Sequence, residues 1–335
     1  MKKIGLITSY HGNYGSVLQC YATKKTIEKK GYVCDVIYEK YAGFEKIRHI
    51  IYRLFLIIVY SLFVPGFCFR YFRARKAAKM HRGAMEKDSF KMVDFFVNTS
   101  LKPKGYSYSC LKKLADKNAF DFFICGSDQI WNCNNGQVSP FAFLQFSNAD
   151  KNIALSPSFG SSSIPYYCRK TIRKYLSKFQ KNKITVREES GRDIIEHLSK
   201  FVPQVMPDPV NLLSRDEWSD FANNSSFLYK DYALLHFLNK PSFDALKLIE
   251  EYSKEGKRFI AIGYNRSSFL NFDGVIFING APFDYLWLIK NADYILTDSF
   301  HTTQFSILFS KPFLTFDRKY DSGVKSQSSR IQFIV

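Results

Sequence analysis

A repeating local pattern constrains this chain most: a short apolar run, a turn rich in Gly, Ser or Asp, then a stretch with helical periodicity. "KKIGLITS" is followed by the turn "YHGNYGS" and by "VLQCYATKKTIEKKGY", which has Gly31 just past its end. "VCDVIYE" then reads as a second strand. Such strand–loop–helix–strand units build doubly wound α/β domains with largely parallel sheets. "FDFFICGSDQIWN", "NIALSPSFGSSS" and "NKITVREESGRDIIEHL" repeat the theme. Two proline-bearing turns in "VPQVMPDPVNLLSRDEW" mark a domain junction. A second series follows: "YALLHFL", a helix near 242–254, "RFIAIGY", "GVIFING", a helix near 283–291, "DYILTDS", a helix near 301–310 and "PFLTFD". At 335 residues the chain exceeds the usual single domain, so two are expected. Ligands of such sheets bind at the carboxyl ends of the strands, where "GSDQ", "SFGSSS", "VREES" and "TDSFH" all lie.

One stretch breaks the pattern. Residues 47–82, "IRHIIYRLFLIIVYSLFVPGFCFRYFRARKAAKMHR", have an uncharged centre, Leu54 to Phe69, flanked by Arg and Lys. That centre is short of the ~20 residues that span a bilayer, and Pro65-Gly66 interrupts it. It reads either as an interfacial anchor meeting anionic lipid or as a helical hairpin packed on the body of the protein. The net charge of +18 suits anionic partners: phosphorylated small molecules, an acidic membrane surface or nucleic acid. Dispersed basic residues and the lack of a recognised module argue against nucleic acid. The 33 Phe and 21 Tyr argue against disorder. Seven Cys, none in C-x-x-C spacing, indicate reduced thiols in a cytoplasmic protein and no zinc site. The N-terminus reads as a first strand and not a signal peptide.

Four turns offer chemistry, each with a plainer alternative. In "SYHGNYGSVLQ", Asn13, Tyr14, Gly15 and Ser16 open a helix whose free N–H groups could meet an anion; a ligand-free tight turn is the alternative. Gly126, Ser127, Asp128 and Gln129 could bind sugar hydroxyls, with Trp131 as an apolar platform; otherwise they cap a helix and Trp131 is core. Arg187 could grip phosphate or carboxylate, or pair with Glu188 or Glu189. Asp298 or Ser299 caps the helix that His301 begins. A helix start disfavours a second proton on imidazole and a bound anion favours it, so His301 could donate a proton once an anionic substrate is present.

Read in order, "NYGSVLQCYATKKTIEKKGY", "FFICGSDQIWN", "ALSPSFG", "VREESG", "PDPVNLL" and "NADYILTDSFHTTQFSILFSKPF" resemble the polysaccharide pyruvyl transferase family over about residues 4–330. The resemblance implies two Rossmann-like doubly wound domains facing a cleft, a GT-B-like α/β fold. The expected division is 1–200, with a basic, apolar helical insert at about 45–92, and 201–335, truncated at its C-terminal end. The implied reaction moves an enolpyruvyl group from phosphoenolpyruvate to two hydroxyls of a sugar, leaving a pyruvyl ketal and phosphate. His301 matches the family's proton donor and Arg187 its strand-end Arg; Ser158, in "SPSFG", joins the expected substrate-binding residues. No metal or cofactor is implied beyond phosphoenolpyruvate as donor substrate. Characterised members carry Arg-x-His where this chain has Ser299-Phe300-His301, so either another cation, such as Arg266 or Lys311, stands in, or the donor or the reaction differs.

Two other functions remain open at this stage. One is a GT-B-like glycosyltransferase using a nucleotide sugar. The other is a non-catalytic, membrane-associated assembly protein of a polysaccharide pathway. The expected partners are phosphoenolpyruvate, a saccharide acceptor that a lipid carrier could bear, and an anionic membrane touched through residues 47–82. The expected location is the cytoplasm, with the inner face of the membrane as the peripheral site.

Overall fold

The computed structural model describes residues 1–41, 43–69, 71–73, 75–76, 85–134 and 136–317. Residues 70, 74 and 77–84 of the expected insert lie outside the described residues, as does 318–335 at the end of the expected second domain. By contacts the chain divides into two compact units. The first comprises Met1–Ser9, Lys24–Ala78 and Lys102–Asp208; the second comprises Tyr10–Thr23, Lys79–Leu101 and Pro209–Val335. Where the sequence reading draws one boundary after residue 200, the contacts draw it after Asp208 and group 10–23 and 79–101 with the C-terminal part.

The first unit is built on β1 (Lys3–Ile7), β2 (Val33–Glu39), β3 (Lys104–Tyr106), β4 (Phe122–Cys125) and β5 (Asn152–Ala154). They form one sheet in the order β3-β2-β1-β4-β5, with every pair parallel. A second parallel pair, β6 (Thr185–Val186) and β7 (Gln204–Val205), joins this edge through a bridge from Ala154 to Ile184. Helices up to residue 208 are α1 (Tyr14–Lys29), α2 (Gly43–Phe63), α3 (Lys87–Phe96), α4 (Tyr108–Asp116), α5 (Tyr166–Leu176) and α6 (Glu189–Ser199).

The core of this unit is strongly aromatic. The Trp131 ring stacks on Phe143 at 4.6 Å, and its Nε1 donates to the Ala142 carbonyl at 3.1 Å. Trp131 is therefore core and not a sugar platform. Each such buried side chain contributes about 1.5–3 kcal/mol.

The second unit repeats the plan. After α7 (Arg215–Ala222) come β8 (Ala233–His236), α8 (Phe243–Lys254), β9 (Phe259–Ile262), β10 (Val275–Ile278), α9 (Pro282–Asn291), β11 (Tyr294–Thr297), α10 (Phe300–Leu308) and β12 (Phe313–Thr315). Its sheet is also parallel, in the order β10-β9-β8-β11-β12. Strands β8 and β9 are buried along their whole length, as parallel strands covered on both faces must be. Serines start the helices: Ser242 accepts from Ala245 N at α8, and Ser214 and Glu217 form a reciprocal capping box at α7.

Both sheets share the Rossmann-like order in which strand succession reverses beside the first strand. That reversal opens a crevice at the carboxyl ends of the central pair, β1 with β4 and β8 with β11. It fixes where function belongs in each unit.

Helix α2 settles part of the insert. One face packs on the first unit: Glu45 accepts from Ser109, Arg53 reaches the Tyr71 hydroxyl at 2.7 Å, and Ile57 and Tyr60 pack around Val64, Phe67 and Tyr71. Among the described residues, no helix is long and apolar enough to cross a membrane.

Candidate functional site

At the second unit's switch point, the chain leaves β11 through Asp298 and Ser299 and turns into α10. Asp298 is buried, and its two oxygens accept from Leu238 N (2.7 Å) and Asn239 N (3.0 Å), which fixes the loop after β8. Ser299 caps α10, its Oγ accepting from Thr302 N at 3.4 Å. His301 follows in the first helical turn and is only 7% exposed. Its ring lies against the backbone of Gly15: a Cβ there would sit 2.2 Å from the imidazole Cγ and Nδ1. The glycine is thus set by the histidine and not by a turn. Around it, Asn13 Oδ1 accepts from Ser16 N at 2.8 Å, which starts α1, and Ser16 is buried.

Tyr14 is buried, stacks on Tyr285 at 4.7 Å and donates to the Gly280 carbonyl at 2.8 Å. Burial pushes both phenols well above their ordinary pKa. They are neutral hydroxyls at any physiological pH, and Tyr14 has a supporting role.

The same unit holds a second buried histidine that the sequence reading missed. His236, buried at the end of β8, places Nδ1 2.7 Å from Thr302 Oγ1, which lies 2.9 Å from the Tyr285 hydroxyl. The signal was a polar residue closing the apolar run "YALLH".

Gly15→Ala separates the role of this contact from stability. Alanine in a helix is favoured over glycine by about 1 kcal/mol, but its Cβ would meet His301 Cγ and Nδ1 at 2.2 Å and Cβ at 2.6 Å, and such overpacking costs about 1–3 kcal/mol, so a modest net loss of stability is expected. The ring must move, and displacement of a catalytic group by about 1 Å can cost ~10²-fold in rate. Turnover is expected to drop by that order, far more than a modest fall in the urea midpoint accounts for. Wild-type turnover would show that the ring position is irrelevant.

The first unit's switch point is different in charge. Gly126 follows β4 with φ +112°, and a Cβ there would come within 2.1 Å of the Leu155 carbonyl oxygen, so only glycine fits. Ser127 Oγ bonds Ser156 O (3.0 Å) and Asp208 Oδ2 (3.3 Å). Arg187, 2% exposed, is ringed by Asp208 (2.8 Å), Glu188 (3.4 Å) and Asp128 (3.7 Å). Burial alone would lower its pKa; the three carboxylates more than offset that and hold it above its ordinary value. Ser158 Oγ donates to Glu188 Oε1 at 2.5 Å. Gln129 turns to Asn132, whose Nδ2 it accepts at 3.0 Å.

Arg187 is thus a cation matched by acid: the pairing with Glu188 that the sequence offered as the alternative to an anion grip is present, with Asp208 and Asp128 added. Asp208 and Glu188 complete this cluster and were not among the predicted site residues. The motif "PDPVNLL" carried the signal for Asp208, since an acid between prolines is held rigidly. The structure brings Gly126, Ser127, Asp128, Ser158 and Arg187 together in the first unit. It brings Asn13, Tyr14, Gly15, Ser16, Asp298, Ser299 and His301 together in the second.

Two doubly wound units, each with polar groups at its switch point, define a GT-B-like fold. A solved UDP-N-acetylglucosamine 2-epimerase from Rickettsia bellii is similar, with TM-score 0.52 and 13% identity over 94% of this chain and 79% of that one. An E. coli heptosyltransferase WaaC with ADP matches at TM-score 0.41 and 11% identity, over 99% of this chain and 96% of that one. A comparison with curated protein sequences finds no match. The model of the polysaccharide pyruvyl transferase family matches residues 13–320, and the chain belongs to that family. It is a transferase of polysaccharide pyruvylation.

Proposed function

We propose that the enzyme transfers an enolpyruvyl group from phosphoenolpyruvate to two hydroxyls of one sugar in a surface polysaccharide or its lipid-linked precursor. The observation that carries this reading is the placement of His301, at the switch point of the second unit, within a family match that spans most of the chain. The methylene carbon of the donor takes a proton from His301, which makes the adjacent carbon electrophilic. One sugar hydroxyl attacks that carbon and gives up its proton. Phosphate leaves, and the second hydroxyl attacks the same carbon to close the ketal. Two hydroxyl protons are released: one restores His301 and the other leaves with phosphate. The scheme uses no metal or organic cofactor, and we place it in the cytoplasm.

Charge supports a division of labour. The Asp128, Glu188 and Asp208 carboxylates outnumber Arg187, a setting suited to neutral hydroxyls and hostile to a multiply charged donor. We assign Asp128 to acceptor hydroxyls; Ser158, fully buried, holds Glu188 in place. The donor belongs with His301, and Arg266 is the cation we assign to it. Arg266 follows β9, next to β8 in the sheet, on the same carboxyl edge, and lies over the Phe277 ring at 5.7 Å. It takes the part of the arginine that Ser299 replaces. Arg266→Ala should raise the KM for phosphoenolpyruvate about tenfold or more, the loss of one charge-assisted hydrogen bond. An unchanged KM would remove Arg266 from the site.

The reading is tested by phosphate release from phosphoenolpyruvate across a panel of free and lipid-linked saccharides. Release that depends on one acceptor class is expected. No release with any of them would refute the donor assignment.

A further inference from the structure

The outward face of α2 has no partner within the described chain. Phe44, Ile47, Ile51, Phe55, Ile58 and Leu62 recur at helical spacing on the side opposite Glu45, Arg53, Ile57 and Tyr60, and they are 55–79% exposed. Six large apolar side chains on one stripe form a patch that water-facing surfaces rarely carry. Its surroundings are one-sided in charge. Among the described residues of 47–82, Arg48, Arg53, Arg73, Arg75 and Lys76 are basic and none is Asp or Glu. Arg48 lies on the apolar face itself, and Arg75 and Lys76, both exposed, follow the helix.

We infer that this face docks the enzyme on an anionic lipid bilayer, with α2 lying in the plane of the interface. Insertion across the bilayer is opposed by the contacts of the opposite face with the body: Ser109 donates to Glu45, and Tyr60, with Phe67 just beyond the helix, packs on Tyr167. An interfacial helix sinks its apolar stripe about 5–10 Å into the headgroup boundary and keeps cations level with the lipid phosphates. Charge decides between occupants. A second copy of this chain would bring like-charged rims together, whereas acidic headgroups neutralise them. Lysine and arginine can also lay their stems along the apolar surface while their charged ends reach the headgroups. The inference does not rest on the donor assignment, since binding is read without turnover.

The test is flotation of the full chain with phosphatidylcholine vesicles, with and without phosphatidylglycerol, at ~150 mM salt, where the screening length is about 8 Å. Wild type should bind the anionic vesicles at least about tenfold better than the neutral ones. The variant I51S/F55S/I58S should lose about 1,000-fold or more, since each such side chain in lipid is worth about tenfold or more. These positions are exposed, so its urea midpoint should match wild type. R48Q/R75Q/K76Q keeps the apolar stripe and should lose roughly 100-fold, at about fivefold per cation. Wild type that fails to float with anionic vesicles, or floats equally with neutral ones, overturns the inference. So does a serine variant that floats like wild type. A wild-type dimer that the serine changes dissociate, without vesicle binding, would assign the face to a second copy instead.

Discussion

His301→Gln is expected to lower acceptor-dependent phosphate release by about 10²–10⁴-fold while binding of phosphoenolpyruvate stays within a few-fold of wild type. Glutamine is the informative replacement. It is planar, can still hydrogen-bond and fills much of the space against Gly15, yet it cannot deliver a proton. The local frame does not depend on the imidazole: Ser299 caps α10, and Asp298 holds the backbone after β8. The variant should therefore fold, and calorimetric binding with lost turnover would mark His301 as the acid. Loss of binding and of cooperative unfolding together would make it a structural residue. Retained turnover would shift attention to His236, which lies deeper and acts on the site through Thr302.

The second large effect is expected at Arg187. Its guanidinium is buried among Asp208, Glu188 and Asp128. Arg187→Leu removes the one cation and leaves carboxylates facing one another in a site with little water. Breaking a buried pair in this way costs about 3–5 kcal/mol. The urea midpoint should fall markedly with little change in slope. Arg187→Lys keeps the charge but not the fork that spans Asp208 and Glu188, so it should recover only part of the loss. The opposite pattern, wild-type stability with a raised KM for phosphoenolpyruvate, would return Arg187 to the role of an anion grip.

The strand and helix plan was legible because parallel α/β units carry a strong local pattern. "VCDVIYE" is β2 residue for residue, and the five apolar runs after residue 230 became β8, β9, β10, β11 and β12. What local pattern cannot carry is pairing across distance. The edge strand β3 is only Lys104–Tyr106, too short to show a period. Gly15 looked like a ligand-approach glycine, but its constraint is the ring of His301, far along the chain. For Arg187 the sequence left an anion grip and a pair with Glu188 or Glu189 both open, and Asp208, which matches it most closely, was missed because it comes from a different turn. The residues at the strand ends were identified correctly as to place; what each of them touches required the fold. The insert divides the same way. Its helical nature and basic flanks were visible in the sequence, whereas the split of α2 into a packed face and an exposed face was not.

The most direct measurement of the central claim is the fate of the donor's methylene carbon. Phosphoenolpyruvate labelled at that carbon is turned over with acceptor in deuterium oxide, and the saccharide product is examined by carbon NMR. Proton delivery from His301 to that carbon requires the label to appear on the sugar as a methyl group bearing solvent-derived deuterium. A label that reaches the sugar still as a methylene, or never reaches it, would contradict ketal formation by this enzyme.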